Sequence, residues 1–164
     1  MRIWLVTVLF VLASSLSAHD GATGIVKERM DNMSRIAEIM KALAGLIKGN
    51  DQYDETVVVT LANELETLAG ENLTNLFPEG EMQMVSAARE EIWENWLGFE
   101  SHANDLAIYA QGLAIAADNY GEDLVNPAQD EITLDILSQM PPREVFQQIS
   151  GTCSGCHQDF RTRK

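Results

Sequence analysis

Cys153-Ser154-Gly155-Cys156-His157 forms a C-x-x-C-H motif, with only seven residues after it in a chain of 164. On a helix, Cys153 and Cys156 are three apart and Cys153 and His157 four apart, so all three side chains leave toward one side. That pattern is the attachment signature of a c-type haem. The two thiols would bond to the haem vinyl groups, and His157 would offer an axial nitrogen to the iron. A flat cofactor held at the extreme C-terminus has one constraining consequence. Whatever covers its other face must come from upstream, so the chain has to fold back over its own tail.

Two other chemistries use paired cysteines. A thioredoxin-like C-x-x-C sits in a βαβ setting, and nothing strand-like precedes this one. A structural zinc usually takes four protein ligands. Beyond Cys153, Cys156 and His157 the chain has only His19, at the far end, and His102.

The rest of the chain is patterned for helices. Apolar residues follow 3,4 spacing almost throughout, with little period-2 alternation. Helix A carries Val26, Arg29, Met33, Ile36, Met40, Leu43 and Ile47 on its seam, and Gly49 ends it. Helix B runs from about Asp54, a suitable N-cap, to Ala69, with Val58, Leu61, Leu65 and Leu68 inward and Gly70 as its stop. Helix C runs from about Ala87 to Asn119 on the seam Ile92, Trp96, Phe99, Ala103, Leu106, Ala110, Leu113 and Ala117. Helix D starts near Pro142, a favoured first helical residue, and reaches about Arg163 through Phe146, Ile149, Cys153, Cys156 and Phe160. Four amphipathic helices predict an all-α, antiparallel up-down-up-down four-helix bundle. Ile132, Leu134, Ile136 and Leu137 suggest a short extra turn before Pro141-Pro142.

Residues 1–18 read as a secretory signal, with Arg2, an apolar run from Ile3 to Leu12, and small residues up to Ala18. The run is too short to span a bilayer, which needs about 20 apolar residues. Cleavage would leave residues 19–164 as one exported domain, periplasmic and free of the membrane. Export also suits paired thiols that serve attachment rather than a disulfide. The formal charge is −14. Such a surface disfavours nucleic acid and could steer a basic redox partner toward it.

Several segments carry a resemblance to a known family. Cys153 to Arg161, ending His157-Gln158-Asp159-Phe160-Arg161, resembles the C-x-x-C-H-x-x-[FY]-R close of cytochrome c′, the class II c-type cytochromes. Arg29-Met30-Asp31-Asn32-Met33, Leu76-Phe77-Pro78-Glu79-Gly80, and Glu91-Ile92-Trp93 with Trp96 and Phe99 are similar to the family's helix A, B–C loop and helix C. Residues 120–142 depart from it, being about ten residues longer than the family's usual linker. The resemblance implies one covalent haem c per chain, a homodimer through helices A and B, and binding of NO or CO, with electron transfer as a second role. It places Met33 over the distal face, either packing there and leaving a five-coordinate, high-spin iron or ligating as a sixth, low-spin ligand. It pairs Arg29 with a haem propionate, where the bland alternative is a cation reaching to solvent. It sets Arg161 near the proximal histidine, where the alternative is a solvated charge at the helix end. Phe160 is expected in the haem pocket or the core. His102 reads as a surface histidine beside the helix C seam. A peroxidase would need a distal acid–base group. No upstream His or Arg other than Arg29 is placed for one, so the chain reads as an electron carrier or gas-binding haem protein and not an enzyme.

Overall fold

The computed structural model describes residues 21–49, 51–121 and 132–162. The proposed leader and residues 122–131 of the long 120–142 linker lie outside the described residues. Four long helices make the bundle: α1 (Gly24–Ile47), α2 (Glu55–Thr67), α5 (Trp96–Ile115) and α7 (Pro142–Phe160). Short helices α3 (Gly70–Thr74), α4 (Glu91–Glu94) and α6 (Leu134–Ser138) fill the connections, and a 3₁₀ turn (Ala116–Asn119) continues α5. α5 packs closely on both α2 and α7, and α1 completes the ring by touching each of them.

The ends of the helices follow their sequence signals. The Asp54 carboxylate accepts a hydrogen bond from the Val57 N–H at 3.1 Å and caps α2. Gly49, just past α1, has φ +78°, a left-handed conformation that suits glycine as a helix stop. Pro142 opens α7. The predicted extra turn is present as α6, with the Thr133 hydroxyl accepting from the Ile136 N–H.

Three boundaries differ from the sequence reading. Helix C is not one rod from Ala87. Asn95 leaves helical geometry (φ −127°, ψ 58°), and its side chain accepts from the Gly98 N–H, so α4 ends and α5 starts afresh. Gly70 opens the one-turn α3 rather than a plain loop. Helix D stops at Phe160, because Arg161 turns extended (φ −124°, ψ 134°) and pairs with Ala88 in an isolated antiparallel bridge.

The core falls into two clusters. The larger joins α1, α2, α5, α6 and α7 through Leu43, Val58, Leu65, Ala110, Leu113, Leu137 and Ile149, each fully buried. The smaller gathers Leu73, Phe77, Ile92, Phe99, Ala103 and Phe160. Met33 packs against both, Cys153 against the larger and Cys156 against the smaller. The attachment motif therefore sits where the two clusters meet.

Gly112 sets the fit of α6 on α5. A Cβ there would lie 2.7 Å from Leu137 Cβ and 2.6 Å from its Cδ1. Alanine normally gains about 1 kcal/mol over glycine inside a helix, but overpacking a full core costs about 1–3 kcal/mol. Because Leu137 Cβ cannot swing aside, the clash should win at Gly112. Gly151 of α7 has open space at its Cβ position. Gly112→Ala should lower the urea midpoint and Gly151→Ala should raise it. A Gly112→Ala protein as stable as the parent would contradict this packing.

Candidate haem-binding site

A cavity of about 670 Å³ opens between α1, α5 and α7, within the range of ligand and cofactor sites. Cys153, Cys156 and His157 line it from α7, and Arg29, Met33, Met30 and Met40 from α1. Phe160 and Arg161 line it at the end of α7, and Phe99 and Ala103 from α5. Every residue singled out for the cofactor thus reaches one space. Among the described residues, no group of three or more His, Cys, Asp or Glu comes together to hold a metal ion by itself.

The two thiols are free and half-buried. Burial raises the pKa of Cys153, and burial aided by the Cys153 and Asp159 charges pushes Cys156 up to about 11. Redox-active C-x-x-C cysteines have their pKa lowered by cations or helix N-termini, so this pair has the opposite setting. His157 is exposed as a residue, yet part of its ring is desolvated. Burial, followed by the charge of Arg161, holds its pKa below the ordinary value. That favours the neutral imidazole, the form that binds metals. Arg161 reaches this position although it no longer belongs to the helix. The clasp to residues 87–89 places it, with the Arg89 N–H donating to the Phe160 carbonyl at 3.1 Å and the Thr162 N–H to the Ala87 carbonyl at 2.8 Å.

Arg29 is the most unusual residue in the cavity wall. It is only 2% exposed. Its Nη2 donates to the Glu81 carbonyl at 2.9 Å, and its guanidinium carbon lies 4.5 Å from the Phe77 ring centroid. Its Nε and Nη1 are buried without a partner. Burial lowers its pKa, with the Glu81 charge opposing that shift, but arginine stays charged in proteins. A buried cation with two idle donors is costly, and a carboxylate in the cavity would satisfy it in a charge-assisted, fork-like pairing. Haem propionates are such carboxylates, so the residues present fit the group.

Met33 is half-buried on the α1 wall, together with Met30, Ile36, Ala37 and Met40. Met40, read as core, contributes to both the core and the cavity.

Two contributors were not legible in the sequence. His102 is half-buried rather than on the surface. It lines the cavity, lies edge-on to Phe160 with centroids 6.2 Å apart, and covers Gly155, where a Cβ would come within 3.1 Å of its Cε1. The segment Val85, Ser86, Ala87 and Ala88 forms another part of the wall. It has no helical or strand period, so only its position next to the family-like Leu76–Gly80 loop could have drawn attention to it.

With this geometry in place, the comparisons agree. The family model for Cytochrome C′ matches residues 24–134, more than half of the chain. The cytochrome c′ of Cereibacter sphaeroides is 26% identical over 166 residues, covering 99% of each chain. Cytochrome c-556 of Agrobacterium tumefaciens is 29% identical over 143 residues, covering 86% of this chain and 99% of the relative. A nitric oxide complex of a variant cytochrome c prime from Alcaligenes xylosoxidans superposes with a TM-score of 0.64 at 24% identity, covering 85% of this chain and 94% of that one. The chain belongs to the cytochrome c′ family. Membership implies haem c, and the family consists of haem proteins rather than enzymes.

The Arg29 pairing has a measurable consequence in the haem-loaded protein. Arg29→Met should leave the pigment covalently attached but destabilise the fold by about 1.5–3 kcal/mol, the range for hydrogen bonds to charged groups. Loss of a cation beside the cofactor should also lower the midpoint potential. Unchanged denaturation and potential would mean that the guanidinium has no anionic partner.

Proposed function

We propose that the chain is an exported, periplasmic haem c protein with a five-coordinate, high-spin iron that binds NO or CO and passes single electrons. The observation that carries this reading is the gathering of Cys153, Cys156, His157 and the idle donors of Arg29 around one cavity. Bound haem supplies an iron that takes small neutral ligands and exchanges one electron.

The protein's own part is to attach, orient and shelter the group. Cys153 and Cys156 form the thioethers, His157 offers its neutral imidazole, and Arg29 neutralises a propionate. Phe99, Ala103 and Phe160 keep water from that side. On the α1 side, Met30, Met33, Ile36, Ala37 and Met40 supply no acid or base, and the cavity's His102 lies instead against Phe160 and Gly155 of α7, which disfavours O₂ stabilisation and peroxidase chemistry. Arg161 acts on His157 by charge. A related structure in complex with nitric oxide supports NO as a ligand.

Residues 1–18 act in this reading as the cleaved signal, leaving 19–164 as the working domain. Among the described residues, no helix is long and apolar enough to cross a membrane. A homodimer would form through α1 and α2, whose outer faces expose Ala42 and Val57.

The second reading is a six-coordinate, low-spin electron carrier with Met33 as the sixth ligand. Its support is the thioether of Met33 on the cavity wall opposite the attachment helix. Optical spectra of the ferric and ferrous protein separate the two. The first reading expects a high-spin spectrum that changes on adding CO, and faster CO uptake in Met33→Ala. A low-spin spectrum with a sulfur-to-iron charge-transfer band, indifferent to CO and converted to high-spin by Met33→Ala, would establish the second reading instead.

A further inference from the structure

Residues 81–89 form a strap, fastened at both ends, whose Val85, Ser86, Ala87 and Ala88 line the cavity. At one end the Arg29 guanidinium holds the Glu81 carbonyl. There, too, the Gln83 amide exchanges two hydrogen bonds with the Thr23 backbone, at 3.2 and 3.3 Å. At the other end, the Ala88–Arg161 bridge clasps the strap to the tail of the attachment helix. Between these ties the strap carries Met82, Met84 and Val85 outward, at 38%, 105% and 37% exposure. Val85 also lines the cavity, so one residue of the strap faces both solvent and the haem site.

A wholly exposed methionine beside two other exposed apolar residues is unusual on so acidic a chain. Methionine adapts its shape and recurs on surfaces that bind varied partners. Exposed carboxylates flank it, with Glu79 and Glu81 before and Glu90 after. The cation nearest in sequence, Arg89, and the one bridged to Ala88, Arg161, are placed elsewhere. Arg89 pairs with Glu91 and the Asp159 carbonyl, and Arg161 lines the cavity.

We propose that the Met82–Val85 strap is the docking surface for a redox partner protein with an apolar contact point ringed by Lys and Arg. The inference rests on the haem-carrying reading and names the surface through which electrons would leave or enter. Charge selects the occupant. The net charge of −14 disfavours anionic lipid and attracts a basic face. The area is small, as in transient electron-transfer encounters. Because the strap is tied at both ends, docking needs little ordering of the loop.

The test follows oxidation of the reduced holoprotein by stopped flow, one electron passing to one of two acceptors. Ferric mitochondrial cytochrome c serves as the basic protein probe, and hexacyanoferrate(III) as a small acceptor. Met84→Ser should slow the protein reaction about fivefold, the scale of one interface anchor, and leave the hexacyanoferrate rate unchanged. Leu97→Ser, which removes a 77% exposed apolar residue on α5, should change neither. Glu79→Gln with Glu90→Gln should slow the protein reaction at low salt, the difference closing near 1 M, where screening shortens to about 3 Å. An unchanged protein rate in Met84→Ser, an equal loss in Leu97→Ser, or an equal slowing with hexacyanoferrate would overturn the docking surface. The haem absorbance in the same traces reports on the parent reading separately, since a normal spectrum with failed docking leaves it intact and an absent spectrum ends both.

Discussion

A buried cation with two idle donors is the constraint on which the rest of this structure depends. Arg29 sits buried in the cavity wall against Phe77 with two of its donors unpartnered. Each such donor costs about 1–3 kcal/mol if left unsatisfied. The surrounding residues do not relieve that cost, since Glu81 supplies one carbonyl and Phe77 one ring face. The cavity is the complement of an anionic, largely apolar, flat group. The two cysteines and the histidine that would fix such a group line the same cavity from α7.

The bundle makes this possible by separating its core into two parts. The larger cluster ties the long helices together and reaches the cavity through Ile36 and Leu106, and the aromatic cluster of Phe77, Phe99 and Phe160 lines the same cavity. Phe99 meets Phe77 and Phe160 edge-on at 4.8 and 5.6 Å, which makes that wall stiff. α5 touches both clusters and so acts as the common backing. The slot can then hold a rigid cofactor while α1 and α7 meet only sparingly across it. Thioether bonds would supply what noncovalent contact across so open a slot does not.

Much of this was legible in the residues because it is local. The C-x-x-C-H spacing, the Asp54 cap, Gly49 and Pro142 each act within one turn of helix. Every seam residue read from the 3,4 pattern is buried or half-buried. What the pattern missed has physical causes. Ile39 is 1% exposed but lies off the strict heptad seam of α1, because a straight helix drifts about 20° per heptad. The break at Asn95 was hidden because the spacing from Ile92 through Trp96 to Phe99 continues across it. The asparagine itself was the signal, as a residue that caps helices with its side chain. The Arg161–Ala88 clasp and the placement of His102 over Gly155 join distant parts of the chain by backbone and shape. No periodicity encodes such contacts.

Covalent iron porphyrin in this slot is the claim that the other conclusions share. It is tested most directly by intact-mass measurement of the exported protein made with a working cytochrome maturation system, before and after extraction in acidified organic solvent. The account predicts a chain heavier by one haem, with the colour and the added mass both surviving extraction and both lost in Cys153→Ser with Cys156→Ser. A colourless chain of unmodified mass, or pigment that partitions into the solvent, would contradict it.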